Sequence, residues 1–362
     1  AGTGAERRWP GRRASARNEV PREDDERMVE VEYGTSRSRG QERDWREVPE
    51  CRRLWKPTPH VQVSGLAFSI LVLASACGPS SDALPPPPAD VLEFLGVQDF
   101  ERTPTSPGLD YYGFENPSVP WAVHLLRVEL DRCELGLEVL EAPAGAGGGE
   151  GRSTVSDLAG VAGDQIMASV NGDFFTPEGR PAGTEVVRGE LRRLSRRPAV
   201  AWRPGSEPWM GIPSARGDTI VQLGWDLPRG LGDGKSQVIG GFPLLLTEGG
   251  RVGDLEVSQR PSFAAERHPR TAVGFDSDEN LLWIVVVDGR QPGHSMGMTL
   301  PELTSLLEAL GVEDGINLDG GGSSVMVVGG VTVSRPSDAG GQRPVVNALA
   351  VRRAQGLCQA RQ

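Results

Sequence analysis

The sequence predicts an α+β fold: a single domain with a large mixed or antiparallel sheet and few helices, preceded by a disordered N-terminal region. Three observations carry this. Short apolar runs bounded by turn residues recur along the chain. One run, Leu300–Leu310, has the clear period of an amphipathic helix. Gly and Pro are abundant, at 48 and 29 of 362 residues, which favours a turn-rich sheet over a helical bundle. No internal repeat is visible.

In chain order, Trp121–Leu130 and Leu135–Glu141 alternate as strands do, and residues 142–152 form a Gly-rich loop. Thr154 followed by Asp157 starts a helix over Thr154–Ala162. Gln165–Val170 is a short apolar strand ending in Asn171-Gly172, and Val186–Leu191, Ala199–Trp202 and Thr219–Leu223 are further strands. Val238–Leu246, with GGFPLLL inside it, is expected to be one strand entered through glycines. Thr271–Phe275 and Leu281–Val287 form a hairpin turned by SDEN. In the helix, Thr299 caps the start, Glu302 completes a capping box and Pro301 sits in the first turn. Leu303, Leu306, Leu307 and Leu310 make its apolar face and Gly311 ends it. Ile316–Leu318 is a strand leading to a glycine loop. Val325–Val328 follows, and Gly329-Gly330 turns into Val331–Ser334.

Ahead of the domain the composition changes. Residues 1–56 mix Arg with Asp and Glu around few aliphatics, so they cannot bury enough surface to offset ordering entropy, and disorder is expected. Leu66–Ala76, LAFSILVLASA, is uncharged but far short of the roughly 20 residues that span a bilayer as a helix. With Arg52, Arg53 and Lys56 before it and Ala-Ser-Ala-Cys after it, residues 57–77 have the build of a lipoprotein signal peptide, with Cys77 as the lipidated residue. Signals of this kind sit at the N-terminus, so translation is expected to start later than residue 1. Residues 78–94, with four consecutive prolines, are expected to be a tether, and the domain to occupy 95–356. The expected location is the cell envelope, at the outer membrane of a bacterium facing the periplasm or surface, with membrane contact only through the lipid. Of the four cysteines, Cys51 and Cys77 are thus accounted for. Cys133 and Cys358 remain, as a disulfide or as two buried thiols. The net charge of -11 argues against a general nucleic-acid partner.

Several polar groups stand at ends of apolar strands. Asn317-Leu318-Asp319-Gly320-Gly321-Gly322-Ser323-Ser324 delivers a carboxylate to three glycines, whose N–H groups can form an anion nest; no P-loop lysine follows. Asn171-Gly172-Asp173-Phe174-Phe175 pairs polar groups with rings on which a sugar face can stack. Arg270 enters a strand, Asp288-Gly289-Arg290 leaves one, and Pro336-Ser337-Asp338 lies near Arg343. Asp288 and Arg290 project to the same side if the chain stays extended. His268 and His294 are further acid–base candidates. No nucleophile elbow, HExxH or strand-linked GxGxxG is present.

Taken in order and spacing, NGDFF at 171–175, GGFPLL at 240–245, HPRTAVGF at 268–275, VDGR at 287–290, the helix, NLDGGGSS at 317–324 and PSD with Arg343 resemble the phosphodiester glycosidase family over about Val123 to Val351. The resemblance implies cleavage between a sugar's anomeric carbon and a phosphodiester oxygen, with a carbohydrate-phosphate substrate and no required cofactor. Asp173 departs from it, since the family often has Gly there; the extra carboxylate is expected to alter the substrate or hold a cation. Asp319 and Asp288 are the expected catalytic carboxylates. Arg270 and Arg290 are expected to grip the phosphate, helped by the Gly320–Gly322 amides. Asn171, Ser323 and Asp338 are expected to bind sugar hydroxyls, with Asp173 and Arg343 also in the substrate site. Two alternatives stand beside this: a non-catalytic module that binds envelope polysaccharide, and a hard-cation site, for calcium as an example, built from Asp173, Asp288, Asp319 and Asp338.

Overall fold

The computed structural model describes residues 85–132, 134–143, 151–204, 206–216, 219–221, 227–228, 235–252 and 261–353. All belong to one compact unit, Ala76–Gln362. The expectations for residues 1–56, Leu66–Ala76, Cys77, Cys133 and Cys358 lie outside the described residues.

Every strand pairing is antiparallel among the described residues. The largest sheet has eight strands, in the order Glu101–Ser106, Leu109–Asn116, Trp121–Glu129, Leu281–Val287, Arg270–Asp276, Asp314–Asn317, Leu244–Thr247 and Gly250–Arg251. Its central strands are apolar at nearly every position because both faces are covered. Alternate residues point to opposite sides. Leu126, Val128, Leu282, Ile284 and Val286 face a second sheet, where they meet Val139, Val170, Leu349 and Val351. Val123, Leu125, Trp283, Val285 and Val287 face the helix Leu300–Ala309 through Leu303, Leu306 and Leu307. That helix has the capping box read from the sequence: the Glu302 N–H donates to Thr299 Oγ1 at 3.1 Å and the Thr299 N–H to Glu302 Oε2 at 2.9 Å.

The second sheet has five strands, in the order Val331–Thr332, Met326–Val328, Ile166–Asn171, Asn347–Arg353 and Leu135–Glu141. Helix Val155–Ala162, capped by Thr154, packs on its outer face. A third sheet orders Glu190–Arg193, Glu185–Val187, Gln237–Gly240, Ala199–Trp202 and Trp209–Gly211.

The structure departs from the sequence reading at three places. The stretch Val186–Leu191 is a tight hairpin, because Arg188 and Gly189 both take positive φ (50° and 80°) and turn the chain. Val238–Leu246 is two strands in two sheets: Pro243 has no N–H for a ladder, and the chain leaves the third sheet at Gly241 and joins the largest at Leu244. Part of the expected tether is folded, since Ala89–Leu95 is a helix whose Val91 and Leu95 are buried in the core.

Candidate active site

Three asparagines at strand ends organise one end of the sheets. Asn171, fully buried, accepts from Thr271 Oγ1 at 2.7 Å and from the Val325 N–H at 3.2 Å, and its amide donates to the Asp319 carbonyl at 2.6 Å. The Asp319 N–H donates in turn to the Gly172 carbonyl at 3.0 Å. Asn317 donates to the carbonyls of Phe242 and Leu318, both at 2.7 Å. Asn347 accepts from the Asp173 N–H at 2.8 Å and donates to Glu185 Oε1. Asn171 thus spends its oxygen and one amide hydrogen on holding Thr271, Val325 and Asp319 in place. Asn317 and Asn347 share this work; their position at strand ends was the only sequence signal for it.

Asp319 sits between its own strand and a short 3-10 turn, Gly321–Ser323. Burial raises its carboxyl to about 6, against the pull of the Ser323 hydroxyl beside it, the Gly320 N–H and Arg343. Asp173, 1% exposed, is raised further, to about 7, by burial; one Gly183 N–H and Arg197 oppose the shift, and Glu185 and Asp319 add to it. Asp173 Oδ1, Asn317 Oδ1 and Ser324 Oγ are buried without hydrogen-bond partners. Such orphans are few in folded proteins, and their gathering around Asp319 marks a functional region.

The glycine turn is not an open anion nest. The Gly320 N–H donates to Asp319 Oδ1 at 2.9 Å and the Gly321 N–H to the Pro269 carbonyl at 2.9 Å. Of the three, the Gly322 amide has no acceptor outside the turn among the described residues. The glycines serve close approach instead. A Cβ on Gly321, at φ 62°, would stand 3.1 Å from the Arg290 guanidinium. One on Gly322 would collide with the Arg343 and Asp338 side chains. Those two form a bidentate pair at 2.8 and 3.1 Å, so Asp338 is committed to Arg343.

Arg290 is exposed and has no carboxylate within ion-pair distance among the described residues. Its Nη2 donates to His268 Nδ1 at 3.3 Å, while His268 Nε2 lies 3.2 Å from the Ser262 carbonyl. A carbonyl only accepts, so Nε2 carries the proton and Nδ1 is free to accept from Arg290. Burial and the nearby Arg270 and Arg290 push the His268 pKa down, which keeps the ring neutral in that role. Arg290 has φ 58°, so the chain does not stay extended past Asp288, and the two side chains part.

Asp288 is 2% exposed and fully engaged. Its Oδ2 accepts from His124 Nε2 at 3.2 Å and His294 Nε2 at 2.9 Å, and the Arg335 N–H reaches both its oxygens at 2.9 and 3.0 Å. The Tyr111 hydroxyl lies 2.9 Å from His124 Nδ1. This carboxylate holds the segment leading to Asp338 and Arg343. Its removal as Asp288→Ala strands three donors and is expected to cost about 3 kcal/mol or more of folding stability in a urea titration. An unchanged midpoint would deny it that role. Arg270, expected at the phosphate, is 1% exposed and donates to the carbonyls of Met298 at 2.8 Å, Phe263 at 2.6 Å and Glu266 at 3.1 Å. Its Nη2 thus anchors the short helix Pro261–Ala265 and its Nε the Met298 carbonyl, so these two groups do not form a phosphate fork. The four carboxylates Asp173, Asp288, Asp319 and Asp338 do not come together, and among the described residues no three His, Cys, Asp or Glu side chains are grouped to hold a metal ion.

Part-buried rings complete the site. Phe174 and Phe263 meet edge to face at 6.1 Å, and the Arg197 guanidinium lies 5.9 Å from the ring centres of both Phe174 and Phe242. Neither Arg197 nor Phe263 falls in a motif recognisable from sequence.

Comparison with known proteins gives the following. The family model for phosphodiester glycosidase matches residues 164–352. The chain is 30% identical over 264 residues to mouse N-acetylglucosamine-1-phosphodiester alpha-N-acetylglucosaminidase, covering 65% of this chain and 46% of that protein. It is 41% identical over 85 residues to an uncharacterised SPbeta prophage-derived protein of Bacillus subtilis, covering 24% of this chain and 13% of that one. The chain thus spans less than half the length of either curated relative. A hypothetical protein from Synechocystis shares the fold with a TM-score of 0.55 at 15% identity, over 71% of this chain and 64% of that one. The catalytic domain of zebrafish N-acetylglucosamine-1-phosphodiester alpha-N-acetylglucosaminidase, auto-inhibited by its pro-peptide, does so with a TM-score of 0.52 at 23% identity, over 71% and 88%.

Proposed function

The chain belongs to the phosphodiester glycosidase family, and from that premise we propose that it hydrolyses a sugar-1-phosphodiester at the anomeric C1–O bond, releasing free sugar and a phosphomonoester. The observation that carries this reading is the placement of a buried, proton-tuned Asp319 next to a glycine turn overlain by an arginine without an acidic partner among the described residues. The leaving group is a phosphate monoester with a second pKa of about 6, so it departs with little help from a general acid. The site has the matching emphasis. Arg290, oriented by neutral His268, and the Gly322 amide take the phosphate. The Asp319 carboxylate faces the positive charge that develops at the anomeric carbon, as nucleophile or as base for water. Phe174, Phe242 and Phe263 offer ring faces to the sugar.

The same proposal includes export, supported by the LAFSILVLASA run, with Cys77 as the site of a lipid anchor. The test of the activity is hydrolysis of a panel of sugar-1-phosphodiesters by the full chain. Release of reducing sugar in step with phosphomonoester is expected. Binding of the panel by folded protein without release would sink the enzyme and favour a sugar-binding module.

A further inference from the structure

Two guanidinium groups around the Asn317–Gly322 segment form no ion pair among the described residues, Arg290 over Gly321 and Arg197 over Phe174 and Phe242, whereas a phosphodiester brings one negative charge. The two stand at opposite ends of the Asn317–Gly322 segment. Arg290 lies over Gly321. At the other end, Asn317 exchanges hydrogen bonds with Phe242: the Phe242 N–H donates to the Asn317 carbonyl at 2.7 Å, and the Asn317 amide donates back at 2.7 Å. Arg197 stands over Phe242 and over Phe174, two residues past Gly172, the partner of the Asp319 N–H. With the phosphate at Arg290 and the anomeric carbon at Asp319, the sugar lies on the Arg197 side.

Arg197 is exposed, yet its backbone is held on both sides. The Ser195 N–H donates to Thr184 Oγ1 at 2.9 Å and Thr184 Oγ1 donates to the Ser195 carbonyl at 3.0 Å. The Pro198 carbonyl accepts from the Gly241 N–H at 2.9 Å, beside Phe242, and proline restricts the residue before it. The guanidinium rests on two rings, which lowers the entropy it loses on gripping a ligand. Asp173, a carboxyl it attracts, is buried and pushed up by that burial. The arrangement is a cation fixed over two rings with no ion pair among the described residues.

We infer that Arg197, with Phe174 and Phe242, forms a subsite for an anionic group on the sugar itself, so that the preferred substrate is the 1-phosphodiester of an acidic, carboxylate-bearing sugar. This rests on the glycosidase reading for the placement of phosphate and anomeric carbon. The chemistry it requires is a planar carboxylate meeting a guanidinium fork.

The test compares glucosyl and glucuronosyl 1-(methyl phosphate) as substrates of the full chain. The wild type is expected to favour the glucuronosyl ester by about tenfold or more in kcat/KM, the worth of one charge-assisted contact. Arg197→Gln should collapse that ratio toward one, and Arg197→Lys should restore part of it. A wild-type ratio near one, or a ratio unmoved by Arg197→Gln, overturns the subsite. A wild-type preference for a nucleoside diphosphate glucose that Arg197→Gln abolishes also overturns it, by moving Arg197 to the phosphate side. If neither ester is cleaved, the glycosidase reading fails, and calorimetric binding of the same two esters decides the subsite separately. Tighter glucuronosyl binding that is lost in Arg197→Gln upholds it, and equal binding ends it.

Discussion

Asp319→Asn is expected to abolish turnover while making the protein more stable above neutral pH. The amide cannot act as nucleophile or base and carries no charge to face an oxocarbenium-like transition state. A loss on the order of 10³-fold or more in kcat is the scale for such a group. The fold should not suffer. The asparagine oxygen can still accept from the Gly320 N–H, and the clamp from Asn171 and Gly172 acts on backbone atoms of residue 319, not on its side chain. The stability gain follows from the raised pKa. Asp319 titrates from 3.8 unfolded to about 6 folded, so between those values the native state binds more protons than the unfolded one. Stability then falls as pH rises through this window, and above it the wild type carries the whole penalty, about 3 kcal/mol. The neutral amide carries none. Melting temperatures of the two proteins should converge near pH 4 and separate by pH 8, with the variant higher. A variant that is inactive and also less stable at pH 8 would mean that Asp319 holds the fold and that its loss says nothing about catalysis.

The same contrast shows what was legible in the residues. Asp319, Asn171 and Asp173 could be singled out because each interrupts an apolar strand with a polar group at its end, and strand ends are where antiparallel sheets present side chains to a cleft. The core helix was legible because its capping box and leucine spacing are local. What failed was set by contacts distant in sequence. The neighbours that fill Asp288, His124 and the Arg335 N–H, come from 164 and 47 residues away. Arg270 gave no sign that the carbonyls ending a five-residue helix would take its guanidinium. The positive φ of Arg290 is invisible in the string Asp-Gly-Arg, and it decides which of these two side chains reaches the glycine turn. Helix Ala89–Leu95 is too short to be stable alone, so only the burial of Val91 and Leu95 declares it.

Arg290 gives the second large effect, and its direction separates binding from chemistry. Arg290→Gln removes a guanidinium that overlies the glycine turn and lacks an acidic partner among the described residues, while Arg270 nearby remains committed to carbonyls. Loss of a bidentate charge-assisted grip should lower kcat/KM by about 10²-fold. If the grip is equal in ground state and transition state, the loss falls on KM; if it strengthens as charge gathers on the departing phosphate, it falls on kcat. The leaving oxygen gains negative charge as the C1–O bond breaks, so a substantial share in kcat is expected. Arg290→Lys should recover little, because an ammonium cannot present the fork and cannot sustain the planar contact with His268 Nδ1. His268 supplies the internal control. His268→Gln keeps an oxygen that can accept from Arg290, whereas His268→Ala leaves the guanidinium without its guide, so the alanine variant should approach Arg290→Gln and the glutamine variant should not. Equal losses in both His268 variants would show that the imidazole itself takes part in the reaction and that Arg290 is not the residue it serves.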